Sequence, residues 1–232
     1  MCTIFQKKNP VQMEDRIYYL IKFSEEKYIN DLYENGTIFL NTFEYFQTQE
    51  NNDFRGDPEE ATIQIKNFPN PENYVIELTD TRTGDSIRKV PGEIFLSYKN
   101  LNPGNLYCMT CIKHSDFKNG KFEIDSKLEE FGNHALLIND PKEFKKRLEK
   151  EIHRLNLTYQ ARAVRYYDKW KHNGPLTLFH KTVDYSYQNE YRIVVPNNSN
   201  KPIKINIGSL SGISQIVTTE KLKRLKFQIR VE

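Results

Sequence analysis

Apolar and polar side chains alternate in short runs along most of this chain, a period of two that predicts strands rather than helices. Such runs are Ile17–Phe23, Thr37–Leu40, Ala61–Lys66, Tyr74–Thr79, Leu106–Ile112 and Ala135–Ile138. Thr158–Tyr167, Tyr185–Val195, Ile203–Ile207, Ser214–Val217 and Phe227–Val231 follow. Turn-forming residues separate them at Asn67–Asn73, Arg82–Asp85, Lys118–Lys121, His172–Pro175 and Asn197–Pro202. Asn119-Gly120 is the strongest hairpin signal, because both positions tolerate positive φ.

Three segments break this alternation with helical spacing. Ser24 is placed to cap a helix over Glu25–Asn35, with Tyr28, Ile29, Leu32 and Tyr33 on one face and Gly36 as its stop. Asp140 followed by Pro141 opens a second helix, whose stripe is Phe144, Leu148, Ile152 and Leu155. A short third helix is expected over Glu220–Leu225. No Ser-, Gly- or Pro-rich tether and no internal repeat interrupts the 232 residues. The expected fold is therefore one α+β domain over 1–232, β-rich, with mixed or antiparallel sheets and two main helices.

Composition excludes several classes. With 38% hydrophobic and 28% charged residues the chain is too apolar for disorder and too polar for a membrane protein. Its N-terminus has no apolar core after the first charges, so no secretory signal is expected. Three cysteines in such a chain point to a reducing cytoplasm rather than a disulfide scaffold. The net charge of +3 conceals a division: 15 basic and 22 acidic side chains lie in 1–139, but 19 and 9 in 140–232. That asymmetry either marks a basic surface for a polyanion or is simply solvated charge that folding redistributes.

Motifs narrow the chemistry further. Cys108-Met109-Thr110-Cys111 lies in a strand-like run, where positions three apart face opposite ways, and no second Cys pair completes a zinc site. Arg55-Gly56-Asp57 falls within the polar loop Asn51–Glu60, which carries four carboxylates suited to a divalent cation or to a flap over a pocket. No nucleophile elbow, P-loop or dinucleotide-binding glycine pattern occurs.

The most informative stretch is Phe179–Val195. Read as a strand, it puts Gln188, Glu190 and Arg192 on one face and Tyr187, Asn189, Tyr191 and Ile193 on the other. A carboxylate flanked by an amide and a guanidinium is either a braced ion pair at a sheet edge or the floor of a cleft. Upstream and within it, the aromatics Tyr159, Tyr166, Tyr167, Trp170, Phe179, Tyr185, Tyr187 and Tyr191 interleave with Arg162, Arg165, Lys169, Lys171 and Lys181. That pattern suits single-stranded nucleic acid, and equally suits amphipathic strands with basic side chains outside.

Gln188-Asn189-Glu190 resembles the Gln/Glu-x-Glu motif of ADP-ribosyltransferases. The opening resembles that family too: a strand Ile17–Phe23, the helix Ser24–Asn35, Gly36, then Thr37-Ile38-Phe39-Leu40-Asn41-Thr42-Phe43. The whole is also similar to bacterial and phage-related proteins found near antiviral defence genes. The resemblance implies an ADP-ribosyltransferase-like fold with NAD as co-substrate. It implies Glu190 and Gln188 as catalytic residues, and a cofactor site at Tyr19, Lys22, Asn41, Thr42, Tyr45 and Phe46. Glu190 would stabilise the oxocarbenium-like cation formed as the nicotinamide bond breaks, and Tyr45 or Phe46 would stack on the nicotinamide. The target favoured by the residues is RNA or DNA, held by Arg162, Arg165, Tyr167, Trp170, Lys181 and Arg192. The role implied is a toxin or antiviral effector with an antitoxin or phage protein as partner. Two other classes stay open: a Mg²⁺-dependent nuclease using Asp53, Asp57, Glu59 and Glu190, and a non-catalytic sensor or inhibitor that binds a protein or nucleotide.

Overall fold

Alternation in Leu106-Tyr107-Cys108-Met109-Thr110-Cys111 sorts one long strand onto two faces, and the fold is assembled around it. The structure is a computed structural model that describes residues 16–48, 59–68, 75–91, 94–99 and 104–229. The chain enters through β1 (Ile17–Ser24), α1 (Glu26–Asn35), β2 (Thr37–Thr42) and α2 (Phe43–Thr48). Next come β3 (Thr62–Phe68), β4 (Val75–Thr79), β5 (Ser86–Pro91), β6 (Ile94–Lys99), the central β7 (Gly104–Lys113) and β8 (Lys121–Phe122). Then follow β9 (His134–Ile138), α3 (Pro141–Arg154), β10 (Gln160–Ala163), β11 (Arg165–Tyr167), β12 (Gly174–Pro175) and β13 (His180–Thr182). The last are β14 (Glu190–Pro196), β15 (Ile203–Asn206), β16 (Ser214–Thr218), α4 (Thr219–Lys223) and β17 (Phe227–Gln228).

The fold is α+β and strand-rich. Its main sheet has eight strands in the order β10-β14-β7-β1-β9-β16, with β2 attached to β7 and β15 to β2. Pairing in it is antiparallel throughout. Tyr107, Met109 and Cys111 of β7 and Tyr191, Ile193 and Val195 of β14 face one core, which Ile29 and Leu32 of α1 and Phe144, Leu148 and Ile152 of α3 cover. The opposite face carries two smaller apolar clusters, one around Ile21, Phe23 and Ile112, the other around Phe43, Leu106, Phe179 and Val194. Cys108 and Cys111 accordingly lie on opposite faces. No helix among the described residues is long and apolar enough to cross a membrane.

Where α1 ends, Gly36 takes φ 63 and its N–H donates to Leu32 O at 3.0 Å, the left-handed stop expected there. Asp140 caps α3, its carboxylate accepting from Glu143 N at 3.0 Å. Ser24 is not the cap of α1: it is the last residue of β1, and Glu25 takes the cap position in extended conformation. Two expected strands are interrupted. Thr158–Tyr167 breaks at Val164 into β10 and β11, because Val164 N turns to Glu190 O and Arg165 N to Phe179 O. Tyr185–Val195 is a strand only from Glu190; Val183–Gln188 form a 3₁₀ turn, ended by Asn189 at φ 41. Asparagine tolerates that left-handed conformation, and its N–H closes the turn on Ser186 O at 3.2 Å. The third helix spans Thr219–Lys223, capped by Thr218. Helix α2 and strands β5 and β6 carried no pattern that alternation or helical spacing would reveal.

Candidate functional site

The site begins where the sheet splits. Along one edge β7 pairs with β14 from Gly104 to Thr110. Along the other edge, Thr110–Lys113 pair with β1 and Asn105–Leu106 with β2. Between them Tyr107–Met109 meet no strand on that edge among the described residues, and β1 and β2 diverge, joined by α1. Lys22 bridges the gap: its Nζ donates to the orphaned carbonyl of Cys108 at 2.8 Å and sits 4.4 Å from the Tyr107 ring centre.

A cavity of about 550 Å³ occupies the split. Its floor is β7, its walls are β1 with α1 and β2 with α2, and its inner end is Glu60, Lys181, Gln188 and Glu190. Lys22, Asn41, Tyr45 and Phe46 all line it. Tyr45 and Phe46 are brought there by α2, their rings edge-on with centres 5.4 Å apart. Thr42 supports that helix from below: its Oγ1 accepts from Tyr45 N at 3.1 Å, and it is itself buried. Tyr19 does not line the cavity but packs edge-on against Phe227 in the cluster on the sheet's opposite face.

Glu190 is the first residue of β14 and is 4% exposed. Its Oε1 accepts from Arg192 Nε at 2.6 Å and its Oε2 from Lys181 Nζ at 3.1 Å. Lys181 also donates to Gln188 Oε1 at 2.9 Å, so Gln188 and Glu190 converge on one ammonium although Gln188 is not in the strand. Arg192 is fixed beyond Glu190: Nη1 and Nη2 donate to Glu60 Oε1 and Oε2 at 2.9 and 2.7 Å, and Nη1 donates to Leu178 O at 2.6 Å. The four charges balance as a unit, the condition for burying them. Burial would raise the Glu190 carboxyl, but the charges of Arg192 and Lys181 and the hydrogen bonds from Arg192 and Cys108 hold it far below the usual carboxylate range. The Cys108 thiol is pushed the other way, well above its ordinary value, by burial and by the adjacent Glu190 carboxylate. Glu190 is thus favoured as a carboxylate lining the cavity, held by two cations, and the Cys108 thiol beside it is disfavoured from ionising.

The six residues expected to hold nucleic acid separate into two groups. Lys181 and Arg192 are buried in the ion cluster, and Tyr167 is buried against Ile65 and Leu176. Both cations are engaged by buried carboxylates, Lys181 by Glu190 and Arg192 by Glu190 and Glu60. Arg162, Arg165 and Trp170 are exposed, Arg162 lying 4.1 Å over the Phe179 ring. Burial, and then the charges of Arg165, His172 and Arg162, push the neighbouring His180 down.

Asp53 and Asp57 lie outside the described residues. Glu59 accepts from Thr62 Oγ1 at 3.0 Å, and no group of His, Cys, Asp and Glu among the described residues is arranged to hold a metal ion. Glu60 is the site residue that sequence reasoning missed as an individual. Its only signal was membership of the acidic loop, whose other end gives no sign of a guanidinium 132 positions away. No protein-family model matches this chain, and no curated protein or solved structure is significantly similar to it.

Proposed function

We propose that this chain is an NAD-dependent ADP-ribosyltransferase that modifies a nucleic acid. The observation that carries the reading is the convergence of Lys22, Asn41, Tyr45, Phe46, Gln188 and Glu190, from three distant parts of the chain, on one cavity at the sheet's split. Its volume of about 550 Å³ is in the range of small-molecule sites, roughly 300–1,000 Å³. Tyr45 and Phe46 offer ring faces and edges to a nicotinamide, Lys22 offers a cation beside the split, and Glu190 offers a fixed negative charge. As the glycosidic bond to nicotinamide breaks, positive charge develops on the ribose. A preorganised carboxylate stabilises that charge more in the transition state than in the ground state.

The test is NAD turnover and labelling with separate pools of RNA, DNA and protein. Glu190→Gln is expected to lower turnover by about 100-fold or more while NAD binding survives. Undiminished turnover in that variant overturns the assignment. A second reading has its own observation: both oxygens of Glu190 already accept from cations, as suits a non-catalytic nucleotide-binding module. NAD binding by the wild-type chain with no release of nicotinamide selects it.

A further inference from the structure

We infer that Glu60 is a positioning residue for Glu190, acting through the guanidinium of Arg192; this rests on the proposed role of Glu190 as the carboxylate that faces the reacting ribose. Glu60 takes both Nη nitrogens of Arg192, at 2.9 and 2.7 Å. A guanidinium is planar, so pinning its Nη edge fixes where Nε–H points, and that is at Glu190 Oε1, 2.6 Å away. Glu60 therefore sets the orientation of Glu190 without touching it.

Charge gives a second reason. Glu190 lies between Arg192 and Lys181, so those three groups alone sum to one positive charge. Placed beside a site where a cation must develop, that excess opposes the reaction. Glu60 removes it. The backbone shows how the carboxylate is delivered: the next residue, Ala61, is buried at φ 62, a conformation that residues with a Cβ ordinarily avoid. Such an outlier at a buried position marks a geometric demand. The Ala61 N–H donates back to Glu60 Oε1 at 3.2 Å, so the strained turn and the Arg192 pair share one oxygen.

The experiment compares Glu60→Gln, Glu60→Asp, Arg192→Gln and the double variant Glu60→Gln/Arg192→Gln. Glu60→Gln is expected to lower kcat for NAD by about 10- to 100-fold with the NAD dissociation constant unchanged, and Glu60→Asp to recover part of the loss. The double variant is expected to be no slower than Arg192→Gln, since the two residues act as one unit. It also removes the unpaired buried charge that could stop Glu60→Gln from folding. Wild-type kcat in Glu60→Gln, or additive losses in the double variant, overturns the inference. The Glu190 ¹³Cδ resonance, assigned by its absence in Glu190→Gln, gives a readout independent of NAD. It is expected to move in Glu60→Gln, and an unmoved resonance overturns the inference whatever the enzyme assay gives. Absence of NAD turnover in the wild-type chain, with the resonance shift present, overturns only the functional reading.

Discussion

Arg192 is 1% exposed, at a place in a buried strand where valine or isoleucine would ordinarily stand. Its stability role differs from its role in the site. Replacing it with Met leaves Glu60 and Glu190 buried with only Lys181 to offset them, and breaking a buried pair in this way costs about 3–5 kcal/mol. The pH dependence has a definite sign. In the wild-type chain Glu190 sits far below its unfolded value, so its contribution is fully present above the ordinary carboxylate range and is lost as pH falls toward the folded value. In Arg192→Met the surplus carboxylate instead gains by taking up a proton. Urea denaturation is therefore expected to show a large gap between wild type and Arg192→Met at neutral pH that narrows on acidification through the carboxylate range. A gap of constant size would mean that Arg192 contributes packing rather than charge.

The unit β1–α1–Gly36–β2 makes the cavity, because α1 forces the two strands apart while β7 holds both. Its tightest point is Gly36, where an added Cβ would stand 2.2 Å from Gly208 O while φ is 63. The contact is part of the connection, since Ile207 N donates to Gly36 O at 3.0 Å. Gly36→Ala is expected to destabilise the fold by more than about 2 kcal/mol. Gly84 also has positive φ but has open space where its Cβ would be, so Gly84→Ala should cost only about 1 kcal/mol of backbone strain. Equal midpoints for the two variants in chemical denaturation would remove the close approach from the explanation. This unit was legible in the sequence because each part has a local cause: alternation, a helical stripe, a left-handed stop. Helix α2 was not, since Phe43–Thr48 is too short to show a period. Tyr185–Gln188 misled for the opposite reason: they alternate like a strand, and only the convergence of Lys181, Gln188 and Glu190 shows why they curl. The same limit applies to the second partner of Arg192: the pair with Glu190 could be read along the strand, but Glu60 is 132 positions away.

At the scale of the molecule, folding reapportions the charge that the sequence segregates. Part of the basic excess of 140–232 is cancelled inside, where Arg192 meets Glu60 from the acidic half. Elsewhere it pairs locally along α3, as Arg147 does with Glu143 and Arg154 with Glu151. Among the cations that stay exposed are Arg162 of β10 and Arg165 of β11, with Trp170 at 55% exposure nearby in sequence. On the proposed reading these are the groups that meet the nucleic-acid target, and their roles separate in a salt titration. Single strands lose about 0.7 in the slope of log K against log salt for each phosphate contact removed. Arg162→Ala/Arg165→Ala should therefore lower the magnitude of the slope by about 1.4 for single-stranded RNA. Trp170→Ala should leave the slope in place and weaken binding at every salt concentration, by about 1–3 kcal/mol if one base stacks on the indole. Lys181→Met should alter neither, because its ammonium is committed to Glu190 and Gln188. An unchanged slope in the double arginine variant would detach the strand edge from any phosphate track. An altered slope in Lys181→Met would show instead that the buried cluster opens to bind.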